Sequence, residues 1–463
     1  MLKLVLASRD KGEVKLFQKT RNLVAATVRS QQIVFVFSRY AVWEGLLALG
    51  LELGKRGLSF SRPRRASIPL DAVFGKKLAL ALYRLGPTFV KLGQMLALRP
   101  DLIGDPVASE LRVLFDQVPP VRFGVIKKIL KEELGKKVVE EAFSRIETKP
   151  LGCASLAQVH QAELKDGTPV ILKVQKKGAA KLVRVDLSLL EGISKSADLA
   201  FPRYGIRQMY EDFYHATIRE VDYREEAKNI EQFRKNYYSI FSSADVIFPR
   251  YYAELSTQRV LTMEPLRGRK VSQLQKGSTV ARQAASQSVA AVLEQIFDHG
   301  FFHADPHAGN LFFMEDEGKI GFIDLGLVGQ LNPEDKRRFL KVLMAILKRD
   351  KPGLVKSIYE LGEPSPKTDY QKFEADIYAL MDEVKSTGVK NVKLDKVVNQ
   401  LLGIARNHRI LIPNRYVLML RAFLIIEGVA KSLDPNLSMF QMAPPIVARS
   451  LMKTYNPFRI FRR

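Results

Sequence analysis

Three polar residues past the middle of the chain stand at spacings that suit phosphoryl transfer. Asp305 and Asn310 are five residues apart in Phe301-Phe-His-Ala-Asp-Pro-His-Ala-Gly-Asn-Leu-Phe-Phe313, a polar loop between apolar segments. Asp324 closes a second apolar run, Gly321-Phe-Ile-Asp-Leu-Gly326, fourteen residues after Asn310. Phosphoryl transfer needs one carboxylate to orient or deprotonate the attacking hydroxyl. It also needs hard oxygen ligands for the magnesium ions that neutralise the phosphates. Asp305 suits the first role, and Asn310 and Asp324 the second. A His-x-Asp-x₄-Asn pattern alone would be a weak signal; Asp324-Leu-Gly326 at this distance makes it a specific one.

Other elements must position such a set. Thr168-Pro-Val-Ile-Leu-Lys-Val-Gln175 alternates and is rich in β-branched residues, which predicts a strand. Lys173 lies inside it between Leu172 and Val174. A buried ammonium needs a partner, and nucleotide phosphates and a helix glutamate would serve. The alternative is a surface lysine on an edge strand. Lys165-Asp-Gly167 predicts a hairpin turn back to a strand over Leu156–Leu164. Before it, Pro150-Leu-Gly-Cys-Ala-Ser155 stands where a phosphate-covering loop would lie, with one glycine only.

The segment from about Tyr210 to Asn236 reads as one long helix. Glu220, Asp222 and Glu226 fall on it, with Asp222 and Glu226 at i,i+4 on one face. Like charges on one face repel, so either cations from elsewhere meet them or the face is solvated. Nearer the start, Leu85-Gly-Pro-Thr-Phe-Val-Lys-Leu-Gly-Gln-Met-Leu-Ala-Leu98 reads as a helix opened by Pro87. Lys91 and Gln94 share a face at i,i+3, away from the apolar stripe of Phe89, Leu92 and Leu96. Gln117-Val-Pro-Pro120 is a stiff extended exit.

Together these residues resemble the UbiB-like atypical kinases associated with ubiquinone and other prenyl-lipid metabolism, from about residue 70 to 440. The resemblance rests on Lys91-Leu-Gly-Gln94, similar to the family's Lys-x-Gly-Gln, and on Gln117-Val-Pro-Pro120. Gly152-Cys-Ala-Ser155 is similar to the alanine-rich loop that replaces a Gly-rich loop. Glu220-Val-Asp222 with Glu226 resembles the Glu-x-Asp motif and helix glutamate, and His303 to Asn310 with Asp324-Leu-Gly326 the catalytic and metal loops. Three features depart from the pattern. Gly152 and Cys153 replace two alanines, Ala308 stands where proline is usual, and the residues given lead one to expect no C-terminal transmembrane pair of the kind in well-known bacterial members.

The resemblance implies an α+β, protein-kinase-like fold of two lobes: a small αβ N-lobe and a mainly helical C-lobe, preceded by a family-specific helical extension. It implies ATP and Mg2+ as cofactors. Asp305, Lys173 and Glu226 would be catalytic, with Lys173 pairing with Glu226. Gly152, Cys153, Ala154, Ser155, Lys173, Glu264 and Leu266 would bind nucleotide, the last two from Thr262-Met-Glu-Pro-Leu266 linking the lobes. Asn310 and Asp324 would hold metal. Lys91 and Gln94 would meet Glu220 and Asp222 and regulate access, keeping bulky peptides out. The expected activity is that of an atypical kinase or ATPase. The alternatives are a nucleotide-gated lipid- or membrane-binding protein without phosphotransfer and a small-molecule phosphotransferase. Lys91-x-Gly-Gln94 and Glu220-x-Asp222 argue against the last.

Composition is compatible. The apolar share of 46% over 463 residues leaves room for a large core and two or three domains. Formal net charge is +24 and uneven. Residues 1–70 carry thirteen Lys or Arg against four Asp or Glu, a balance of +9, and Ile446–Arg463 carries five basic and no acidic residues. Such blocks attract polyanions. Without an aromatic-interleaved basic motif, anionic membrane lipid is the expected partner and nucleic acid is not; prenyl-lipid or quinone-pathway proteins are further candidates. One cysteine excludes an internal disulfide and suits a reducing compartment. The expected location is cytoplasmic, peripheral on a membrane. The apolar stretch Ile33–Leu53 is interrupted by Arg39, Glu44 and Glu52, so it predicts an interfacial amphipathic helix or a helix docked on its own domain, not a span. The expected divisions are a basic extension at 1–70, a helical extension at 71–145, an N-lobe with a helical insertion at 146–263, a C-lobe at 264–440 and a basic tail at 441–463. In the C-lobe, helices are expected over Glu334–Lys348, Tyr370–Lys385, Leu394–Asn407 and Tyr416–Leu433, with no strand after Asp324.

Overall fold

The structure is a computed structural model. It describes residues 24–44, 71–97, 103–115, 120–154, 156–200, 206–238, 245–387 and 394–437, and residues 439, 442, 443, 445, 446, 448 and 449. Ser155, residues 117–119 of the Gln-Val-Pro-Pro motif, residues 45–53 of the apolar stretch and the terminal basic blocks before residue 24 and after residue 449 lie outside the described residues. The chain divides into two compact units. The first comprises residues 1–222 and 255–261, the second 223–254 and 262–463.

In the first unit, residues 24–39 are helical. The helices α1 (Ala72–Leu85), α2 (Pro87–Ala97) and α3 (Asp105–Leu111) come next. The Asp71 carboxylate accepts from Phe74 N at 2.9 Å and caps α1. Gly86, with φ 93°, ends α1 before Pro87 opens α2. A Cβ at Gly93 would collide with the side chains of Leu114 and Leu82, so the glycine of Lys91-Leu-Gly-Gln94 is a packing requirement. Phe74, Leu78, Leu82, Leu85, Phe89, Val107 and Leu111 form this unit's helical core, and Ile33, Val36 and Val42 are buried in it. Val34, Phe35 and Trp43 on the same segment are exposed. The first part of the Ile33–Leu53 stretch therefore docks on its own unit and presents apolar side chains outward as well. Among the described residues no helix is long and apolar enough to cross a membrane.

Beyond these lie α4 (Phe123–Leu134) and α5 (Lys136–Ala142), then β1 (Phe143–Ile146), β2 (Gly152–Cys153), β3 (Ala157–Leu164) and β4 (Pro169–Gln175). Strands β3 and β4 pair antiparallel through the turn at Gly167, whose φ of 83° needs glycine. The Asp166 carboxylate accepts from Thr168 N at 2.9 Å in the same turn. On β4, Val170, Leu172 and Val174 are buried and Lys173 lies half-buried on the other face, opposite Val159 of β3. The sheet order is β1-β3-β4-β6, with β2 also on β3, where β6 spans Val260–Met263 and β5, Val246–Ile247, precedes it in the chain. Helices α6 (Ala179–Ala200) and α7 (Ile206–Glu220) complete the unit.

The single long helix expected over Tyr210–Asn236 is two helices, α7 and α8 (Tyr223–Tyr237). The break has a local cause and a long-range one. Val221 and Asp222 are weak helix formers, and Asp favours helix starts. Val221 is buried at 1% exposure and its carbonyl accepts from Gln175 Nε2 at 3.0 Å, which takes it out of the helical ladder. Asp222 therefore stands between the two helices and Glu226 lies on α8.

In the second unit, α8 packs over a small sheet of order β5-β10-β9-β7, with β7 at Arg269–Lys270, β9 at Leu311–Met314 and β10 at Lys319–Phe322. Phe248 stacks between Phe233 of α8 and Phe322 of β10, with centroids 4.8 and 5.5 Å away. Helix α9 (Thr279–Glu294) is capped by Ser278 and runs into a π-helical turn, Gln295–His299, which ends at Gly300 with φ 65°. Two three-residue strands, β8 (Phe301–His303) and β11 (Val328–Gln330), pair antiparallel and bracket the polar loop. Helices α10 (Pro333–Lys348), α11 (Lys351–Leu361), α12 (Tyr370–Thr387), α13 (Leu394–Asn407) and α14 (Asn414–Leu433) make up the remainder. Asn332 and Asp335 form a capping box on α10. The short strands after Asp324, β11 and the pair β12 (Glu363–Pro364) and β13 (Ile410–Leu411), run against the expectation of none, because two or three residues are too few to show alternation. Helix α11 is also absent from the expected set, since Pro352 and Gly353 blur its periodicity; Asp350 caps it through Gly353 N at 2.9 Å.

Candidate functional site

Within the second unit the loop between β8 and β9 is held by its own hydrogen bonds. Asp305 O accepts from His307 N at 2.9 Å, and His307 O accepts from Asn310 N at 2.8 Å. The Asn310 amide nitrogen also donates to Asp305 O at 3.3 Å. That leaves its side-chain oxygen as the atom fit to meet a cation. Asp305 N donates to His303 Nδ1 at 3.0 Å, and His303 N donates to Gln295 Oε1 at 2.9 Å. With Nδ1 accepting, the other ring nitrogen carries the proton and faces Ile323 O at 3.3 Å. Burial lowers the His303 pKa, and the nearby carboxylates of Asp305 and Asp324 oppose that. His303 is therefore a neutral brace joining the loop to the segment that carries Asp324.

Asp324 has φ 55°, a left-handed backbone that Asp tolerates better than most residues. Ile323 N donates to Asn310 O at 2.9 Å, which joins the two loops. Helix α8 is tied to the same turn, with Asn229 Nδ2 donating to Leu325 O at 2.8 Å. Glu226, one turn earlier on α8, is buried at 4% exposure. A Cβ at Gly326 would lie 3.8 Å from both Asp324 Oδ1 and Glu226 Oε2, so the two carboxylates converge on that glycine. Converging carboxylates favour a cation. No group of three or more His, Cys, Asp or Glu among the described residues is arranged to hold a metal alone. Magnesium bound together with phosphate oxygens needs only one or two carboxylates, and the oxygen donors of Asn310 and Asp324 suit it.

Sequence reasoning missed Arg421. It pairs with Asp305 Oδ1 at 3.2 Å from α14. The signal was present: an arginine inside the apolar run Tyr416–Ile426 needs a partner, as Lys173 does inside its strand. At the expected link, Glu264 N donates to Arg250 O at 2.8 Å and the Glu264 carboxylate accepts from Arg250 N at 3.2 Å. The Leu266 side chain lies against Gly321 of β10.

In the first unit, Lys91 Nζ donates to the Glu220 carboxylate, joining α2 to the end of α7. The Gln94 amide donates to Leu114 O at 2.9 Å, a backbone partner rather than the carboxylate expected for it. Asp222 N donates to Arg219 O at 3.2 Å in the turn that ends α7. Gly152 pairs with Val159 and Cys153 with Gln158, so the loop of Gly152, Cys153 and Ala154 folds back on β3, closed by Ala154 N to Ala157 O at 2.9 Å. A Cβ at Gly152 would meet open space. Burial raises the Cys153 pKa against the pull of Lys176.

The chain is similar to known proteins. The ABC1 atypical kinase-like domain matches residues 113–358 and the UbiB helical domain residues 377–438. A Pseudomonas putida protein described as probable protein kinase UbiB is 32% identical over 448 residues, covering 94% of this chain and 81% of its own. An uncharacterized protein of Synechocystis sp. is 32% identical over 385 residues; the match covers 81% of this chain and 65% of that relative. Among solved structures, the Rv3197–erythromycin complex from Mycobacterium tuberculosis superposes with a TM-score of 0.53 at 22% identity, over 77% of this chain and 91% of that one. That likeness is one of fold.

Proposed function

Because the chain belongs to the ABC1/UbiB atypical kinase-like family and has its α+β, kinase-like fold, we propose that it is a magnesium-dependent, ATP-using phosphotransferase or ATPase at a membrane surface. The observation that carries the reading is the hydrogen-bonded linkage of Asp305, Asn310 and Asp324 through His303 and Ile323. It holds three oxygen-bearing side chains on one rigid loop pair, as phosphoryl transfer requires. Asn310 and Asp324 would hold the metal. Bound magnesium supplies charge neutralisation at the phosphates. Asp305 orients the attacking hydroxyl or water. Lys173 offers its ammonium to the phosphates as a point charge. By resemblance to the family, the Gly152–Ala154 backbone and the Glu264–Leu266 segment are each candidate nucleotide contacts. The Lys91–Glu220 pair restricts the acceptor, so water or a small or lipid acceptor is favoured over a peptide.

The membrane half of the proposal is supported by the +9 balance of residues 1–70, the basic tail and the exposed Val34, Phe35 and Trp43. Each basic residue near an anionic surface contributes about 1 kcal/mol. The quinone or isoprenoid-lipid setting is an inference from the family alone.

Thermal shift of the full chain tests the nucleotide site. Wild type should be stabilised by Mg-ATP, by about 2.7 kcal/mol at a hundredfold excess over Kd. Asp324→Asn should not respond; a wild-type response from that variant removes the assignment. Flotation with anionic and neutral vesicles tests the surface. Binding should need anionic lipid, weaken with salt and fall in a Phe35→Ser, Trp43→Ser double variant. ATP turnover with and without those vesicles separates an enzyme from a nucleotide-gated lipid binder.

A further inference from the structure

Asp305 is fixed in two different ways. Its backbone is set locally, by His303, His307 and Asn310. Its carboxylate meets Arg421, which belongs to the helical segment far downstream. Both side chains are about a quarter exposed, at 26% for Arg421 and 29% for Asp305, so the pair is partly shielded and reachable. The arginine is not placed by its own hydrogen-bonding optimum: its Nε is buried without a partner among the described residues. It is placed by helix packing. Its neighbours Met419, Ala422 and Phe423 are buried against the core of this unit, so the stem starts from a fixed point.

We propose that Arg421 is a positioning residue for Asp305. The helical segment supplies a cation that holds the Asp305 carboxylate in one rotamer, and the loop's chemistry depends on it. An aspartate otherwise rotates about two torsions, and a misplaced orienting group loses rate without losing nucleotide affinity. The inference rests on the proposed role of Asp305 in orienting the attacking group.

The test is ATP turnover and Mg-ATP thermal shift of the full chain in Arg421→Ala, Arg421→Lys and Asp305→Asn. Arg421→Ala should lower kcat by on the order of 10²-fold with KM for ATP and the Mg-ATP shift unchanged. Millimolar guanidinium should restore part of that rate, and Arg421→Lys should retain part of it without guanidinium. A merely structural arginine would lower the melting temperature and the nucleotide response together and would not respond to guanidinium. Wild-type or raised kcat in Arg421→Ala, with Asp305→Asn inactive, overturns the positioning role; a raised value would mark the pair as a brake. Wild-type turnover by Asp305→Asn overturns the reading of Asp305 instead. If Arg421→Ala does not fold, Arg421→Gln takes its place, and wild-type kcat in that variant overturns the proposal.

Discussion

Arg29 and Asp186 form a buried two-bond ion pair, Nε to Oδ1 at 2.6 Å and Nη2 to Oδ2 at 3.1 Å, with 6% and 0% of each side chain exposed. The same guanidinium also donates to Leu85 O at the end of α1. One side chain thus joins the N-terminal helical segment, α1 and α6. Removing one partner strands the other charge in the core. Arg29→Ala is expected to destabilise the first unit by about 3–5 kcal/mol, while Arg29→Met combined with Asp186→Leu should cost much less. Denaturant unfolding of the full chain measures both; equal losses would remove the ion-pair explanation. Truncation of the first 66 residues is accordingly expected to unfold this unit, which makes point substitutions at Phe35 and Trp43 the better membrane test.

Lys91 and Glu220 are 23% and 43% exposed, so their pair should contribute little to stability, about 1 kcal/mol or less. If the contact matters, it matters for turnover. A double-mutant cycle with Lys91→Met and Glu220→Gln should give coupling in ATP turnover larger than coupling in unfolding free energy. Additivity in both readouts would reduce the pair to a surface ion pair.

At Gly152 the backbone is extended and the space around a Cβ is open. Gly152→Ala should therefore fold as wild type, with a stability change within about 0.5 kcal/mol. That leaves ligand contact as the reason for any functional change, since glycine lets backbone approach phosphates closely. The expected outcome is a changed ratio of ATP to ADP affinity, read by titration calorimetry. An unchanged ratio would show the position to be neutral.

His160 and His303 give the fold a pH dependence. Burial is the main cause that lowers both below the ordinary value of 6.5; hydrogen bonding to Glu147 O opposes it at His160, and the Asp305 and Asp324 charges oppose it at His303. A lowered folded-state pKa means the unfolded chain takes up a proton first as pH falls through 6.5. Stability is then fully present above that pH and is lost on going down towards the folded-state values. In the first unit, neutral His160 also braces Gln158, which holds Val121 through bonds of 2.8 and 3.2 Å. Melting temperature should fall between pH 7 and pH 5, and His160→Gln should flatten part of that slope. A slope unchanged in His160→Gln would assign the effect elsewhere.

The features that the residues alone disclose, and those they do not, divide along physical lines. The β3–β4 hairpin is legible because Lys165-Asp-Gly167 is local turn chemistry, and α13 because its apolar period runs uninterrupted from Leu394 to Asn407. The family and its kinase-like fold are legible because fixed polar residues at fixed spacings carry them. The break at Val221 is not, because it depends on a carbonyl bonding Gln175, 46 positions away. Nor is the Gln94 partner, since a helix face reveals a direction and not the group that waits there. Arg421 escapes notice for a plainer reason: the helical period dominates the apolar run around it, and one charge barely disturbs that pattern.

The π-helical turn at Gln295–His299 makes chain length itself part of the site. A π turn holds about one residue more than an α turn, and Gln295, at its start, bonds the amide of His303. Each residue of helix turns the downstream chain by about 100° around the helix axis. Losing one residue after Gln295 would shorten the lead into the loop, and losing one before it would swing Gln295 away from His303. This stretch should therefore tolerate few single-residue insertions or deletions, and its buried Gln295, Ile296 and Phe297 limit substitution as well.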